Sequence, residues 1–227
     1  MKLLKEGGYY LPEMERFEVQ ESSLGSFDIG DISAEVLLFQ TGYLTIHKTL
    51  QMGTQMGFEL GYPNLEVKLS LNTHLLDYLT PPASRASRVS LQIWRLLVDV
   101  RLDDLRVLLK RFFSSIPHDW YRNNHIDQYE GYYASLFYSQ MVACGATTIA
   151  EDTTAFGRID LTVIAEDKVY IFEFKVIEGD QGNGSALQQI KKRSDADKYR
   201  DGRELYCAGI EFSHQQRNIV GFDREKT

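Results

Sequence analysis

The sequence has few of the residues that build disulfide frameworks or histidine-based metal sites. Its only cysteines, Cys144 and Cys207, lie in apolar surroundings, so we expect reduced thiols inside the protein. The five histidines show no spacing typical of metal ligands. These absences argue against a disulfide-rich scaffold and against a metal site built on histidine.

Long apolar segments are missing as well. The start of the chain lacks the apolar stretch of a signal peptide, and no apolar run is long enough to cross a bilayer. The sequence therefore predicts a soluble cytoplasmic protein. The net charge of −7 argues against a constitutive nucleic-acid binder with a large basic surface, but it is compatible with local basic patches.

The length and composition predict a folded chain with one large domain or two small ones. Of the 227 residues, 43% are hydrophobic and 12% aromatic. The sequence divides near Ser115-Ile116-Pro117. We predict that residues 1–27 are a linker or the remnant of a missing N-terminal part. Residues 28–115 should be mainly helical with a short hairpin near 43–60 and one long helical stretch over 87–113, and residues 116–227 should form a separate domain.

The most informative motif is Phe172-Glu173-Phe174-Lys175, which lies inside an apolar run from Val169 to Ile177. On a strand, Glu173 and Lys175 point to one face, because side chains alternate. An earlier strand-like run, 157–164, carries Asp160 among apolar neighbours. Charge this deep is costly unless it is paired or binds a metal. The pattern suits acids that hold a divalent ion and a lysine beside an attacking water, although an internal Glu–Lys pair is the simpler alternative.

Around this motif, the second half of the chain alternates between helical and strand patterns. A helix is predicted from Ile126 to Cys144, strands over 147–152, 159–165 and 169–177, a helix from Ser185 to about Tyr199, and strands over 205–212 and 219–222. Glu130 falls close to the apolar stripe of the first helix. It is either an inward carboxylate or a rim residue favoured by the helix dipole, and both interpretations stay open.

This order of elements, together with the motifs, resembles the PD-(D/E)XK nuclease superfamily. More narrowly, it resembles the nuclease domain that some bacterial proteins carry behind an AAA-ATPase-like domain. The stretches that carry the resemblance are 38–46, 61–67, Gly157-Arg158-Ile159-Asp160, 170–175 and Ala186-Leu187-Gln188-Gln189-Ile190. The resemblance implies an α/β, restriction-endonuclease-like αβββαβ core with a mixed sheet flanked by helices. It also implies an attached ATPase domain in a longer parent protein.

Carried over to this chain, the resemblance implies a metal-dependent catalytic site. Asp160 and Glu173 would hold Mg²⁺ or Mn²⁺, with the Phe174 carbonyl as a further ligand. Lys175 would orient and activate the attacking water. Supporting roles fall to Glu130, which would assist the metal or its water, and to Gln189, which would brace the lysine or contact a phosphate. Glu151 could approach this site, but acids at strand ends are usually solvated, so it is not included.

Three positions depart from the superfamily pattern. Ile159 stands where the superfamily name has proline, which leaves the required acid in place. Ala134 occupies a position at which relatives often carry histidine. Asp195 stands where a tyrosine is expected after Gln189. The last two changes concern catalytic efficiency and substrate contacts rather than the metal site.

We therefore expect a metal-dependent phosphodiesterase, an endonuclease directed at DNA. DNA would bind weakly and in a salt-sensitive way through lysines and arginines near the second helix, namely Lys191, Lys192, Arg193, Lys198, Arg200 and Arg203. The alternative is a nuclease-like fold that no longer cleaves and serves as a binding or regulatory module of an ATPase-linked protein. A hydrolase of another class is disfavoured, because no Ser or Cys lies in a nucleophile elbow.

Overall fold

A computed structural model describes residues 10–25, 32–79, 84–116, 130–155, 157–193 and 195–227. Its α-helices are α1 (Glu21–Leu24), α2 (Ala34–Gln40), α3 (Leu65–Leu79), α4 (Ser84–Val98), α5 (Leu102–Ser114), α6 (Glu130–Ala143) and α7 (Ser185–Arg193). Two 3-10 helices cover Leu11–Glu15 and Asp195–Tyr199. The strands are β1 (Phe17–Gln20), β2 (Thr45–Met52), β3 (Gln55–Gly61), β4 (Thr147–Thr153), β5 (Arg158–Ala165), β6 (Lys168–Ile177), β7 (Glu204–Ser213) and β8 (Asn218–Lys226). None of these helices is both long and apolar enough to cross a membrane.

The C-terminal half is built on a five-stranded mixed sheet. Its strands follow the order β4-β5-β6-β7-β8, with β6 and β7 parallel and every other neighbouring pair antiparallel. Helix α6 precedes β4, and α7 makes the crossover between the parallel strands β6 and β7, as such a pair requires. The predicted α/β, restriction-endonuclease-like αβββαβ order is therefore confirmed.

Strand β6 is the centre of this sheet and is buried on both faces. Phe172 and Phe174 point to the side of α6, where the Phe137 ring lies 4.8 and 5.1 Å from theirs. Val169 and Ile171 point to the opposite side and pack in a smaller core with Ile190 of α7. This alternation explains the continuous apolar run in the sequence, since a strand covered on both faces needs apolar side chains on both.

The larger core is shared between the sheet and the N-terminal helices. Leu75 of α3, Ile93 of α4 and Leu105 of α5 are buried in the same cluster as Tyr133 of α6. Tyr133 in turn stacks on Phe212 of β7, with ring centroids 4.4 Å apart. Apolar packing is thus continuous across the sequence division near residue 115. The assignment of residues 28–115 and 116–227 to separate domains stays a prediction.

A second, antiparallel sheet lies in the N-terminal part, with the strand order β1-β3-β2. Strands β2 and β3 form the hairpin expected near 43–60. Strand β1 lies within the segment 1–27 that the sequence indicates as a linker. It pairs with β3 from Phe17 opposite Leu60 to Gln20 opposite Gly57. The residues of β1 alternate between half-buried and exposed, which accounts for the alternation of apolar and polar residues in Phe17-Glu18-Val19-Gln20.

The prediction of one long helical stretch over 87–113 is wrong in one respect. Two helices, α4 and α5, cover this range, and the helix is interrupted between them. The Arg101 amide donates to the Leu96 carbonyl at 2.8 Å and the Val100 amide to the Leu97 carbonyl at 3.1 Å. This is a Schellman motif, and Val100 holds its left-handed position with φ +56°. Glycine is the usual residue there, so a valine gives no sequence signal for the helix end.

Candidate active site

Glu173 and Lys175 of β6 share the face of the sheet that α7 covers. Glu173 is only 1% exposed, and the Gln189 amide of α7 donates to its Oε1. Lys175 is half-buried, and its Nζ lies 3.4 Å from the Ser185 carbonyl at the start of the same helix. The common face expected from the two-residue spacing is therefore present.

Asp160 meets β6 where the β5–β6 ladder ends. The last paired residues are Leu161 and Phe172, and beyond them the Asp160 Oδ2 accepts a hydrogen bond from the Phe174 amide at 2.8 Å. The carboxylate thus takes the place of the next backbone partner. The pKa of Asp160 is raised to about 6, chiefly by burial and to a smaller extent by the charge of the nearby Glu151. The Phe174 amide and the positive charges of Arg193 and Arg158 oppose this rise.

Glu151 of β4 lies opposite Asp160 of β5, at a point where the regular pairing of the two strands is interrupted. Ala150 and Leu161 pack on the side of the larger core, whereas Ile159, paired with Asp152, packs on the α7 side. In each strand, the side chains before and after this point therefore face opposite sides of the sheet. Glu151 makes this change with a left-handed φ of +53°, an uncommon conformation for a residue with a side chain.

Glu130 stands at the N-terminal end of α6, at the rim of the same site. The residue as a whole is exposed, but partial desolvation of its carboxyl group, with a smaller contribution from the charge of Asp160, raises its pKa to about 7. The charge of Lys175 and a hydrogen bond from the Val176 backbone oppose the rise. Glu130 is exposed, which agrees with the interpretation as a rim residue, and the charges of Asp160 and Lys175 act on its carboxyl group.

Gln189 reaches Glu173 because α7 lies very close to the sheet. The neighbour of Glu173 on β7 is Gly209, and a Cβ atom added there would come within 2.1 Å of the Leu187 amide nitrogen. A side chain at this position would push the helix away. The predicted roles of Gln189 are to brace Lys175 or to contact a phosphate. In the structure its hydrogen-bond partner is Glu173, so Gln189 braces that acid and not Lys175.

A buried carboxylate on β7, Glu211, fixes the entry to α7. It accepts hydrogen bonds from the Asn183 and Gly184 amides, from the Ser185 hydroxyl and from the Ala186 amide, at 2.6 to 3.2 Å. Burial alone would raise the pKa of Glu211, but these hydrogen bonds together lower it. The Gly-rich loop 179–184 is therefore tied to the sheet through one side chain, and this tie positions the helix that carries Gln189.

Arg193 and Tyr10 contact the acids, and neither was predicted as a site residue. The Arg193 Nη1 lies 3.3 Å from the Glu173 Oε1. The Tyr10 hydroxyl donates to Glu151, and burial, followed by the charge of Glu151, raises the pKa of Tyr10 far above its usual range. Arg193 appears in the sequence only as one of several basic residues. Tyr10 lies far from the motif along the chain, so no local pattern connects it to the site.

Most of the basic residues near α7 are paired with acids. Lys191 contacts Glu225, Lys198 contacts Asp152, Arg200 contacts Asp197 and Arg203 contacts Asp201. With Arg193 engaged by Glu173, Lys192 is the member of this basic group for which no acidic partner occurs among the described residues. The local positive potential available for a polyanion is therefore modest.

The donor set fits a magnesium ion bound in the usual way. No three His, Cys, Asp or Glu side chains of the described residues lie close enough together to hold a metal on their own. Mg²⁺, however, is commonly bound through one or two carboxylates, with waters and substrate phosphates completing the shell. Burial of Asp160 beside other acids raises its pKa, and a cation bound there would offset that unfavourable charge.

Comparison with known proteins gives a family match for part of the chain. Residues 128–222 match the family model of the PD-(D/E)XK nuclease superfamily, and this segment contains Glu130, Asp160, Glu173, Lys175 and Gln189. The chain is also 49% identical over 222 residues to an uncharacterized protein in the vnfD 5' region of Azotobacter chroococcum mcd 1. That alignment covers 97% of this chain and 43% of the relative, so the chain spans less than half the length of that protein. No solved structure matches the chain.

Proposed function

We propose that this protein is a metal-dependent nuclease that hydrolyses phosphodiester bonds in DNA. The observation that carries the proposal is the hydrogen bond from the Phe174 amide to the Asp160 carboxylate at the end of the β5–β6 ladder. The buried Glu173 precedes Phe174 on β6, and Lys175 follows it. Asp160, Glu173 and the Phe174 carbonyl would hold Mg²⁺ or Mn²⁺. The match of residues 128–222 to a superfamily of nucleases supports this assignment.

The Phe174 carbonyl is a suitable ligand because of the direction of its strand. The N–H and C=O groups of one residue in a strand point towards the same edge. The Phe174 N–H points to Asp160. Its carbonyl is therefore directed to the side on which the Asp160 carboxylate lies, where β5 has diverged and no longer pairs with β6.

The bound ion would polarise the scissile phosphate and lower the pKa of a water molecule. Lys175 would orient that water and offset the charge that develops on the phosphate. Glu130, with a pKa of about 7, is suited to accept a proton near neutral pH. Gln189 would hold the Glu173 carboxylate in place through the hydrogen bond to Oε1.

The test is nicking of a supercoiled plasmid with Mg²⁺ or Mn²⁺, combined with calorimetric measurement of metal binding. Asp160→Asn and Glu173→Gln should lose metal binding and cleavage together. Asp99→Asn is a matched control, because Asp99 is exposed at the end of α4, outside this site. Cleavage by either site variant at the wild-type rate would overturn the catalytic assignment.

A non-catalytic nuclease-like module is the second candidate. The observation that favours it is that the Glu173 Oε1 is already engaged by Gln189 and Arg193. On this alternative the wild-type protein would bind DNA or a protein partner but would not nick plasmid with any divalent metal. Metal binding without cleavage by wild type would therefore support the module over the enzyme.

The partners and location of the protein belong to the same proposal. We propose weak, salt-sensitive contact with DNA, an attached ATPase domain in a longer parent protein, and a cytoplasmic location. The paired state of most basic residues near α7 supports weak DNA binding. The greater length of the Azotobacter relative is compatible with an additional domain. Size and domain content of the natural gene product would test the ATPase proposal.

A further inference from the structure

Arg193 lies at the C-terminal end of α7 and bridges two strands of the candidate site. Its Nη1 donates to the Glu173 Oε1 at 3.3 Å and to the Arg158 carbonyl at 3.2 Å. Its aliphatic part runs over Gly157, where an added Cβ atom would lie 3.4 Å from the Arg193 Cδ. The side chain is 38% exposed, whereas that of Glu173 is 1% exposed. Arg193 therefore contacts a buried acid while part of its own side chain is exposed to solvent.

The charge of Arg193 takes part in neutralising the acids. A buried carboxylate is costly unless a positive charge or strong hydrogen-bond donors compensate it. Arg193 supplies such a charge to Glu173, and it also opposes the rise in the pKa of Asp160 that burial causes. A guanidinium at this distance from Glu173 would repel a divalent ion bound to the same acid.

The position of Gln189 allows Arg193 to leave Glu173 while that carboxylate keeps a hydrogen-bond donor. Gln189 and Arg193 are four residues apart on α7, so they lie on the same face of the helix and both contact the Glu173 Oε1. If the guanidinium moves away, the Gln189 amide still holds the carboxylate. Arg193 can then turn outwards, because its side chain already reaches the surface.

We propose that Arg193 is the counter-ion of Glu173 in the metal-free protein, and that a divalent metal displaces it so that its guanidinium binds a phosphate oxygen of the DNA substrate. This inference rests on the proposed nuclease function. It gives the Arg193 guanidinium two successive partners. The guanidinium leaves Glu173 when the metal binds, and it then contacts a phosphate of the DNA. A purely structural Arg193, tying β5 to α7, would not link these two partners.

The experiment measures metal and DNA affinity separately in the full chain. Calorimetry with Mn²⁺ gives the metal affinity, and fluorescence anisotropy of a labelled DNA duplex in Ca²⁺ gives the DNA affinity without requiring cleavage. The variants are Arg193→Gln and Arg193→Lys, with Lys192→Gln as a control that removes a neighbouring exposed charge on the same helix. Thermal melting of each variant monitors folding.

For Arg193→Gln we expect metal binding to become tighter by ~3- to 10-fold, because a competing cation is gone. DNA binding in Ca²⁺ should weaken by ~10-fold, because a charged hydrogen bond to phosphate is lost. Arg193→Lys should keep wild-type metal affinity and lose part of the DNA affinity, since lysine retains the charge without the planar fork. Lys192→Gln should leave metal affinity unchanged.

The opposite signs of the two effects distinguish the proposal from a structural role. Unchanged or weaker metal binding by Arg193→Gln would overturn the displacement, and unchanged DNA affinity in Ca²⁺ would overturn the phosphate contact. If Arg193→Gln does not fold, Arg193→Lys serves instead: metal binding weaker than wild type would overturn the displacement, and unchanged DNA affinity in Ca²⁺ would overturn the phosphate contact. If wild type binds metal and loses it in Asp160→Asn, the site stands whatever Arg193 does. If wild type binds no metal, both proposals fail.

Discussion

Replacing Asp160 by asparagine should stabilise the metal-free protein and abolish its response to magnesium. The pKa of the Asp160 carboxyl rises from an ordinary 3.8 to about 6, chiefly because of burial. At ~1.4 kcal/mol per pKa unit, the ionised form costs the fold up to ~3 kcal/mol at neutral pH. Asparagine keeps an oxygen acceptor for the Phe174 amide but carries no charge.

The net gain should be smaller than this maximum. The carboxyl group is partly accessible to solvent, and a neutral acceptor makes a weaker hydrogen bond than a carboxylate does. We therefore expect the free energy of unfolding to increase by about 1–2 kcal/mol, which raises the melting temperature of a chain of this size by ~2–8 °C. This gain applies only in the absence of divalent metal.

Magnesium should reverse the order of stability. A ligand that binds only the folded state adds ~2.7 kcal/mol at a concentration of 100 times its Kd. Wild type should gain this stabilisation and Asp160→Asn should not. Melting curves at pH 7.5, recorded with EDTA and then with saturating Mg²⁺, should thus place the variant above wild type in the first buffer and below it in the second.

The advantage of Asp160→Asn should also depend on pH in a defined direction. Because the pKa of Asp160 is higher in the folded than in the unfolded chain, the folded state binds the proton more tightly. The destabilising charge is therefore fully present above pH ~6 and is lost as the pH falls towards ~4. Asp99→Asn should show neither effect. A variant less stable than wild type in EDTA at pH 7.5, or one that still responds to Mg²⁺, would refute the reasoning.

Three further predictions concern neighbouring residues. Lys175→Met should retain metal binding but reduce plasmid nicking ~100-fold, because one charged contact is lost; Lys48→Met, at an exposed lysine of β2 outside the site, is the control, and loss of metal binding by Lys175→Met would contradict the assignment. Glu211→Ala should lower the free energy of unfolding by ~2–4 kcal/mol, because buried amides at the start of α7 lose their acceptor; a loss below ~0.5 kcal/mol in denaturant unfolding would contradict the tie. DNA affinity in Ca²⁺ should fall steeply with salt, and constant affinity would indicate a protein partner instead.

Local patterns were sufficient to predict the strands and the helix that hold the proposed site residues. The two-residue spacing of Glu173 and Lys175 fixed their common face, and the apolar run around them indicated a strand covered on both sides. The helix that begins at Ser185 placed Gln189 where it could face this strand. These inferences depend only on the periodicity of strands and helices, which neighbouring residues determine.

The remaining features depend on contacts between distant segments or on unusual backbone conformations. Nothing in the local sequence indicates that Tyr10 reaches Glu151 or that β1 joins the hairpin. Val100 holds a position at which glycine is the usual signal, so the break between α4 and α5 left no pattern. The sequence indicates that Glu151 is an ordinary strand-end acid, yet it lies opposite Asp160 with a left-handed backbone conformation, and such a conformation is not visible in composition or spacing.

The shared core sets a lower limit on the length of polypeptide that can fold. A fragment restricted to residues 128–222 would contain all the proposed catalytic residues but none of the helices that cover Tyr133 and Phe137. Both of these side chains are fully inaccessible to solvent in the intact chain, and the apolar faces of α3, α4 and α5 provide part of their cover. Because an exposed apolar patch of this kind promotes aggregation, expression trials should retain the N-terminal helices even where only cleavage chemistry is of interest. For the same reason, an insertion that separates the N-terminal helices from α6 would be tolerated only if both parts could still pack together.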